Sequence, residues 1–540
     1  MRFMLFGLSQ DRISRDLYYF GLVLLALSLP LSKFTMSIAQ FMIAGAWLLG
    51  GNIPDKLKRF FTSPITLLFL AVYLMHVLGL LWTEDMASGW RDVRIKLPLL
   101  LLPLLMATSP PLPMVRLEWV LRAVGIGALL STFFSFLVYK GVITHYEVKD
   151  IRDISVFISH IRLSLLACIS VFIGVWFINR KGPTLESLIW LLVITWLMFF
   201  VLLLQSLTSM LILAVFLAIY TTVIAFRGRM LLVRIGSAVV LVVSLFAIGL
   251  MFYRVNEAYA LKDSWPPSGV TERTPSGRIY YTDQTSSQME NGYYFWKRVC
   301  EDELRQEWNR RSKIPFDGVD LKGHELKITL LRFLTSKGLD KDSIGVVSLS
   351  QEEVAAVESG IANVFYLEYH GLTSRLHQAV WEYRNYQLSG DPTGHSLTQR
   401  LEYWQTGIQI FFSAPLTGVG TGDLQTAFDQ QYERNKSKLA AEWRLRSHNQ
   451  FISIAAAFGV FGLLLFILML IWPLSNAIRI RDHLYLAFLA TAMLSMLSED
   501  TLETQAGITF FVFFSGLFLF VHPINRYIRV KKQGASAAGK

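Results

Sequence analysis

Cysteine is nearly absent, with two in 540 residues, Cys168 and Cys300. One falls in an apolar run and the other in a polar stretch, so no intrachain disulfide is expected, and no zinc-type Cys/His spacing is present. Strand-like alternation is scarce. The only Asp-x-Asp, Asp340-Lys341-Asp342, sits in a polar loop, and neither a metal nor any other cofactor is expected. "TGVGTGD" at 417–423 contains Gly-x-Gly but lacks the preceding strand of a dinucleotide site. An apolar span follows the first fifteen residues with no clear small-residue cleavage site, so no cleavable signal peptide stands out. Internal repeats are missing, and few ionisable residues, such as His76, lie deep in an apolar run. Both features argue against a transporter built on mid-membrane charges.

What the chain has is apolar length. Hydrophobic residues make up 53% of it, and runs at 17–31, 65–82, 119–139, 188–204, 211–226, 230–253, 451–474 and 508–521 reach or approach the roughly 20 residues that span a bilayer. The expected fold class is an all-α polytopic membrane protein with about twelve transmembrane helices. The net charge of +11 fits either the retention of Lys and Arg on the cytoplasmic side or an anionic substrate; nucleic acid is not an expected partner. Arg2, Arg12 and Arg15, then Lys56, Lys58 and Arg59, then Arg180 and Lys181, then Arg227 and Arg229, then Arg479 and Arg481, and finally Arg526, Arg529, Lys531 and Lys532 all fall on one side if there are twelve spans. That places both termini in the cytoplasm. The expected division is a transmembrane bundle at 1–253 holding nine spans, a large periplasmic loop domain at 254–447, three further spans at 448–522, and a basic cytoplasmic tail at 523–540. Within the loop, "SQEEVAAVESG" carries a capping box at Ser350 and Glu353, and "SLTQRLEYWQTGIQIFFSAP" reads as a helix from a Ser396 cap to a stop before Pro415. The loop is expected to be mostly helical.

"RLRSHNQFISIAAAFGVFG", from Arg444 to Gly462, opens an apolar helix with arginines, a serine, a histidine and an asparagine. At about 100° per residue, Ala455, Gly459 and Gly462 fall within about 40° of the direction of His448. They form a small-residue stripe where another helix can approach. The plain alternative is a polar interfacial cap, with Arg444 and Arg446 on lipid headgroups.

The same residues resemble the bacterial O-antigen ligase superfamily, which includes O-antigen polymerases and O-linked protein oligosaccharyltransferases. His448, Asn449, nine residues, Gly459 and Gly462 match its pattern H-[NSQ]-x9-G-x-x-[GTY]. Arg400, Trp404, Pro415, Gly418 and Gly420 match its Arg-x3-Trp helix leading to P-x-x-G-x-G. The resemblance implies a C-type glycosyltransferase-like fold in the bacterial inner membrane and a glycan donor on undecaprenyl diphosphate. The implied acceptor is lipid A-core, a growing polysaccharide or a protein hydroxyl. Such chemistry needs forked cations for the diphosphate and a base for the acceptor hydroxyl. His448 is the expected base. Arg400 and Arg162 are the expected diphosphate ligands, with Arg91, Arg94 and Lys96 as possible additions. His160 is a second candidate base or donor contact, and Asn449 a substrate contact. Gly459, Gly462, Trp404, Gly418 and Gly420 are expected to be structural. Glu499, Asp500 and Glu503 in "SEDTLET" are read equally as acceptor contacts or partners of the arginines. The alternatives to a ligase are a polymerase or oligosaccharyltransferase of the same superfamily and, from another class, a lipid-linked glycan flippase or a scaffold.

Overall fold

The computed structural model describes residues 10–146, 148, 151–227, 231–264 and 272–521. Arg2, Arg229 and the basic tail at 523–540 lie outside the described residues. Helix dominates. Among the described residues, the sheet is a short antiparallel pair, Met289–Glu290 with Tyr293–Tyr294. Among the described residues, seven helices are long and apolar enough to cross a membrane: Pro64–Trp82, Met114–Tyr139, His160–Lys181, Leu185–Leu203, Leu207–Phe226, Leu231–Ala258 and Gln450–Ile480. The count rises to eight if Lys33–Leu49 and Ile53–Phe61, bent by 115°, are one span. Two shorter apolar helices, His483–Met496 and Gln505–Val521, follow. The number that length and composition support is therefore below the expected twelve.

The described residues form two compact units. One takes the chain up to Phe216 and from Gln399 onward; the other is Leu217–Thr398. These boundaries differ from an expected loop domain at 254–447, because residues 399–447 pack with the helices that follow them. Leu424, Phe428 and Tyr432 join the same buried cluster as Ile454, Ala456 and Phe466. The second unit has its own core around Trp308, Phe316, Leu330 and Phe333. Its capping box at Ser350 and Glu353 is formed, with both reciprocal hydrogen bonds present. Asp342 caps the short helix Ser343–Val347, and Asp340 pairs with Arg298, so Asp340-Lys341-Asp342 serves local structure.

The Ser396–Ser413 helix stops before Pro415, and the segment that follows locks into the Gln450–Ile480 helix. That helix is broken at Gly459, which sits at φ 63°, ψ −163°, a region open essentially to glycine alone. A break in an apolar helix leaves backbone groups that must find partners. The 415–420 segment supplies them. Val460 N–H donates to the Pro415 carbonyl at 2.8 Å, while the Ala456 and Ala457 carbonyls accept from Val419 and Gly420 N–H at 3.0 and 2.9 Å. The approach is close enough that a Cβ on Gly418 would lie 2.2 Å from the Ala457 carbonyl carbon. One on Gly459 would lie 2.3 Å from the Leu416 oxygen.

This overturns the expected stripe of small residues. His448 lies outside the helix, which starts at Gln450, and its own φ is 46°. With Gly459 also non-helical, an angular count from His448 to Gly459 has no meaning. Gly459 faces a loop backbone rather than a neighbouring helix. Gly462, beyond the break, meets Met75 of the Pro64–Leu78 helix.

Gly418 and Gly141 both have φ of 67°, but no atom would meet a Cβ on Gly141 within 4 Å. Alanine at either site bears the left-handed penalty of about 1–2 kcal/mol; only Gly418→Ala adds a backbone collision. Thermal unfolding of the detergent-purified protein is expected to show a much larger loss for Gly418→Ala. Equal losses would mean that the interlock contributes no specific energy.

Candidate functional site

Asn449 sets the start of the Gln450–Ile480 helix. Its side-chain oxygen accepts from the Phe451 and Ile452 N–H groups at 3.0 and 3.2 Å, and its amide donates to the Leu497 carbonyl at 3.1 Å. An asparagine used in this way is a helix cap. Asn449, expected to touch substrate, has its amide committed to backbone. Ser447 Oγ accepts from Asn449 N–H at 3.1 Å, and Asp500 accepts from His448 N–H at 3.1 Å and Ser453 Oγ at 2.8 Å. These bonds hold His448 in its left-handed conformation, and its side chain is left half-buried in a cleft.

The cleft measures about 360 Å³ and lies within the first unit. His448, Arg162, Arg91 and Arg446 line it together with Asp92, Glu499, Asp500 and Glu503. A carboxylate-rich wall is an unpromising place for an anion unless its charges are already used, and most of them are. Glu503 lies 2.8 Å from Lys96 Nζ and 3.4 Å from Arg446, and accepts from Gln450 Nε2 at 3.1 Å. Asp92 lies 3.0 Å from the same Lys96. Lys96 therefore sits wholly buried behind the cleft as the counter-charge of two acids, and was expected at the cleft itself. Glu499 pairs with Arg400 at 3.1 Å. Arg162 forms no ion pair among the described residues, and it borders both the cleft and an apolar crevice lined by Leu29, Ile158, Ile161, Leu165 and Phe510. Arg91, exposed in the same cleft, forms none either among the described residues, so these two guanidiniums are the ones open to an incoming anion.

Burial lowers the His448 pKa from its ordinary value; Glu499 pulls it back and Arg400 pushes it further down. The imidazole is thus neutral at pH 7 and able to accept a proton. Its Nδ1 is 3.9 Å from Glu499, too long for a hydrogen bond but near enough to stabilise a proton once taken up. Burial raises the Glu499 carboxyl, against the opposing pull of His448 and Arg400. Asp500 is raised to about 6, by burial first and then by Glu503. Burial would also raise Glu503, but Lys96 and Arg446 hold it below the usual carboxylate range.

The structure thus brings together His448, Arg162 and Arg91, with Arg400 one carboxylate away. Arg94 is exposed and does not line the cleft, and His160, the first residue of the His160–Lys181 helix, does not line it either. Arg446, expected only as a lipid-headgroup contact, and Asp92 and Gln450 are additions. Only "RLRSHNQ" hinted at two of these, by crowding polar groups before an apolar helix. Trp404 packs against the main core, and Gly418 and Gly420 form the interlock. Among the described residues, no group of three or more His, Cys, Asp or Glu is arranged to hold a metal ion.

Replacing Lys96 by Met would leave Glu503 and Asp92 without their buried cation. Removing one partner of a buried pair costs about 3–5 kcal/mol. Lys96→Met is expected to lower thermal stability sharply, and the double variant Lys96→Met with Glu503→Gln to recover most of it. No recovery would mean that the lysine acts through packing alone.

A family model described as O-antigen ligase matches residues 354–467, the segment containing Arg400, Pro415, Gly418, Gly420, His448, Gly459 and Gly462. A search of curated proteins finds no match. Over that segment, the match supports membership of the O-antigen ligase superfamily for this multi-pass helical chain.

Proposed function

We propose that the protein is an O-antigen ligase-like glycosyltransferase. It moves a glycan from undecaprenyl diphosphate to a lipid A-core or related acceptor at the periplasmic face of the bacterial inner membrane. The observation that carries this reading is one cleft lined both by the half-buried His448 and by an arginine without an ion pair, next to an apolar crevice. The crevice suits the first isoprene units of the donor lipid. Arg162 suits the diphosphate, because its planar fork holds two phosphate oxygens. Arg91, which lines the same cleft, adds charge, and Arg400 stays paired with Glu499 at its border.

In the reaction, His448 removes the proton of the acceptor hydroxyl as that oxygen attacks the anomeric carbon. The carbon's bond to the diphosphate oxygen breaks, and its electron pair leaves with undecaprenyl diphosphate. One displacement inverts the anomeric centre. Glu499 beside the imidazolium stabilises the positive charge that forms there, and the arginines stabilise the charge that develops on the diphosphate. The chemistry relies on side-chain cations and is expected to persist in excess chelator. A polymerase or an O-linked protein oligosaccharyltransferase would use the same donor site, since these differ in the acceptor.

His448→Ala is expected to lower transfer by about 10²–10⁴. The lipid-linked glycan should then accumulate on the outer face of the membrane, as read by its accessibility in intact spheroplasts. Accumulation on the inner face would indicate a flippase, and normal product would remove His448 from the chemistry.

The pH dependence has a defined sign. A base whose pKa is lowered stays unprotonated below the ordinary histidine value of about 6.5. The acid limb of transferase activity should therefore lie below pH 6.5, and Asp500→Asn should keep that limb. An acid limb above pH 6.5 would contradict a buried, neutral His448.

A further inference from the structure

The Leu217–Thr398 unit has a cleft of its own, about 500 Å³, formed wholly within that unit. Its size falls in the range of small-molecule sites, about 300–1,000 Å³. Trp296 and Trp381 line it and are only partly buried, with Tyr259 beneath and Gln288, Arg384 and Asn385 among the polar groups around them.

These rings are held in place. The Arg332 guanidinium lies 3.8 Å from the Trp381 ring centre, and Arg332 Nε donates to Glu290 at 2.6 Å. Glu290 is itself buried and accepts from Asn363 at 2.8 Å. The Trp296 indole N–H donates to Gln288 Oε1 at 3.1 Å. So each indole has a polar partner that holds it before any ligand arrives: Arg332 over one face of Trp381, and Gln288 at the Trp296 N–H edge. Polar donors remain at the mouth. Arg384 is exposed, lies 4.6 Å over the Tyr259 ring, and forms no ion pair among the described residues. The Asn385 oxygen receives Gln288 Nε2 at 3.5 Å, a marginal bond that a ligand hydroxyl can replace.

Flat indoles beside amide and guanidinium donors match one chemical class well. A pyranose ring has an apolar C–H face that stacks on an indole and an equatorial rim of hydroxyls that needs donors and acceptors. A lipid tail would leave the amides and Arg384 unsatisfied. A peptide strand would seek a sheet edge, and among the described residues the sheet of this unit is only two residues long on each side. We propose that this cleft is a carbohydrate-binding site, separate from the His448 cleft, that holds part of a glycan by stacking on Trp296 and Trp381. It goes beyond the transferase reading and stands independently of it, because its argument uses no residue of the His448 cleft.

The test uses the full-length detergent-solubilised protein on an array of defined bacterial oligosaccharides, with a set of peptides and phospholipid vesicles as competitors. Wild type and His448→Ala are expected to bind the same glycans. Trp381→Ala should weaken that binding at least tenfold, and Trp381→Phe should keep most of it. Retention in Trp381→Phe shows that the unit still folds when the indole is altered, and thermal unfolding checks the alanine variant. Binding that survives both Trp381→Ala and Trp296→Ala, binding lost in His448→Ala, an absence of glycan binding, or displacement by peptides or vesicles would each overturn the proposal. Loss of transfer in His448→Ala with array binding intact separates the fate of this site from that of the transferase reading.

Discussion

The arrangement of the first unit depends on one backbone exchange. A long apolar helix breaks at Gly459, and residues 415–420 take over the hydrogen bonds the break would orphan. In a water-poor environment that exchange is obligatory, since each unsatisfied amide or carbonyl would cost several kcal/mol. The same segment continues into Thr421, whose hydroxyl donates to the His76 carbonyl at 2.6 Å. Asp423 then accepts from the Glu84 and Asp85 N–H groups at 2.8 Å each. Three sequence-distant pieces, near residues 80, 420 and 458, are thereby fixed against one another. The helix Met86–Lys96, with its cleft residues Arg91 and Asp92, follows directly from Asp85, whose side chain caps it at Ser88 N–H.

Electrostatics then decides what the cleft can accept. Its lining counts four carboxylates against three arginines, a poor balance for a diphosphate if every charge were free. Lys96 changes the balance from behind the wall by pairing with both Glu503 and Asp92, which brings the cations level with the carboxylates. Asp500 is spent on backbone and serine donors. The remaining adjustable group is Glu499, whose pKa is raised by burial and which touches Arg400. A group of that kind couples the charge of an arriving anion to the proton inventory of the base beside it. This gives a physical reason for a carboxylate to stand among cations at such a site.

Much of this was legible in the sequence because it is local. Apolar runs of helical length, the capping box at Ser350, the helix ending before Pro415 and the crowding of polar groups before Phe451 all depend on residues within a few positions of one another. The pairing of His448 with Arg162 was legible only through resemblance to known family motifs, since nothing local connects residues nearly three hundred positions apart. The small-residue stripe failed for a definite reason. Helical periodicity was extended through Gly459, a residue whose freedom of conformation lets the helix stop.

The sequence by itself determined that the chain is helical and apolar enough for a membrane. It also determined that glycines occupy 418, 420 and 459, and that the candidate base stands at the head of an apolar helix. Only the tertiary structure decided which cations are free. Lys96 and Arg446 are spent on buried acids while Arg162 is not, and a charge's availability depends on its neighbours within about 4 Å, which sequence separation does not reveal.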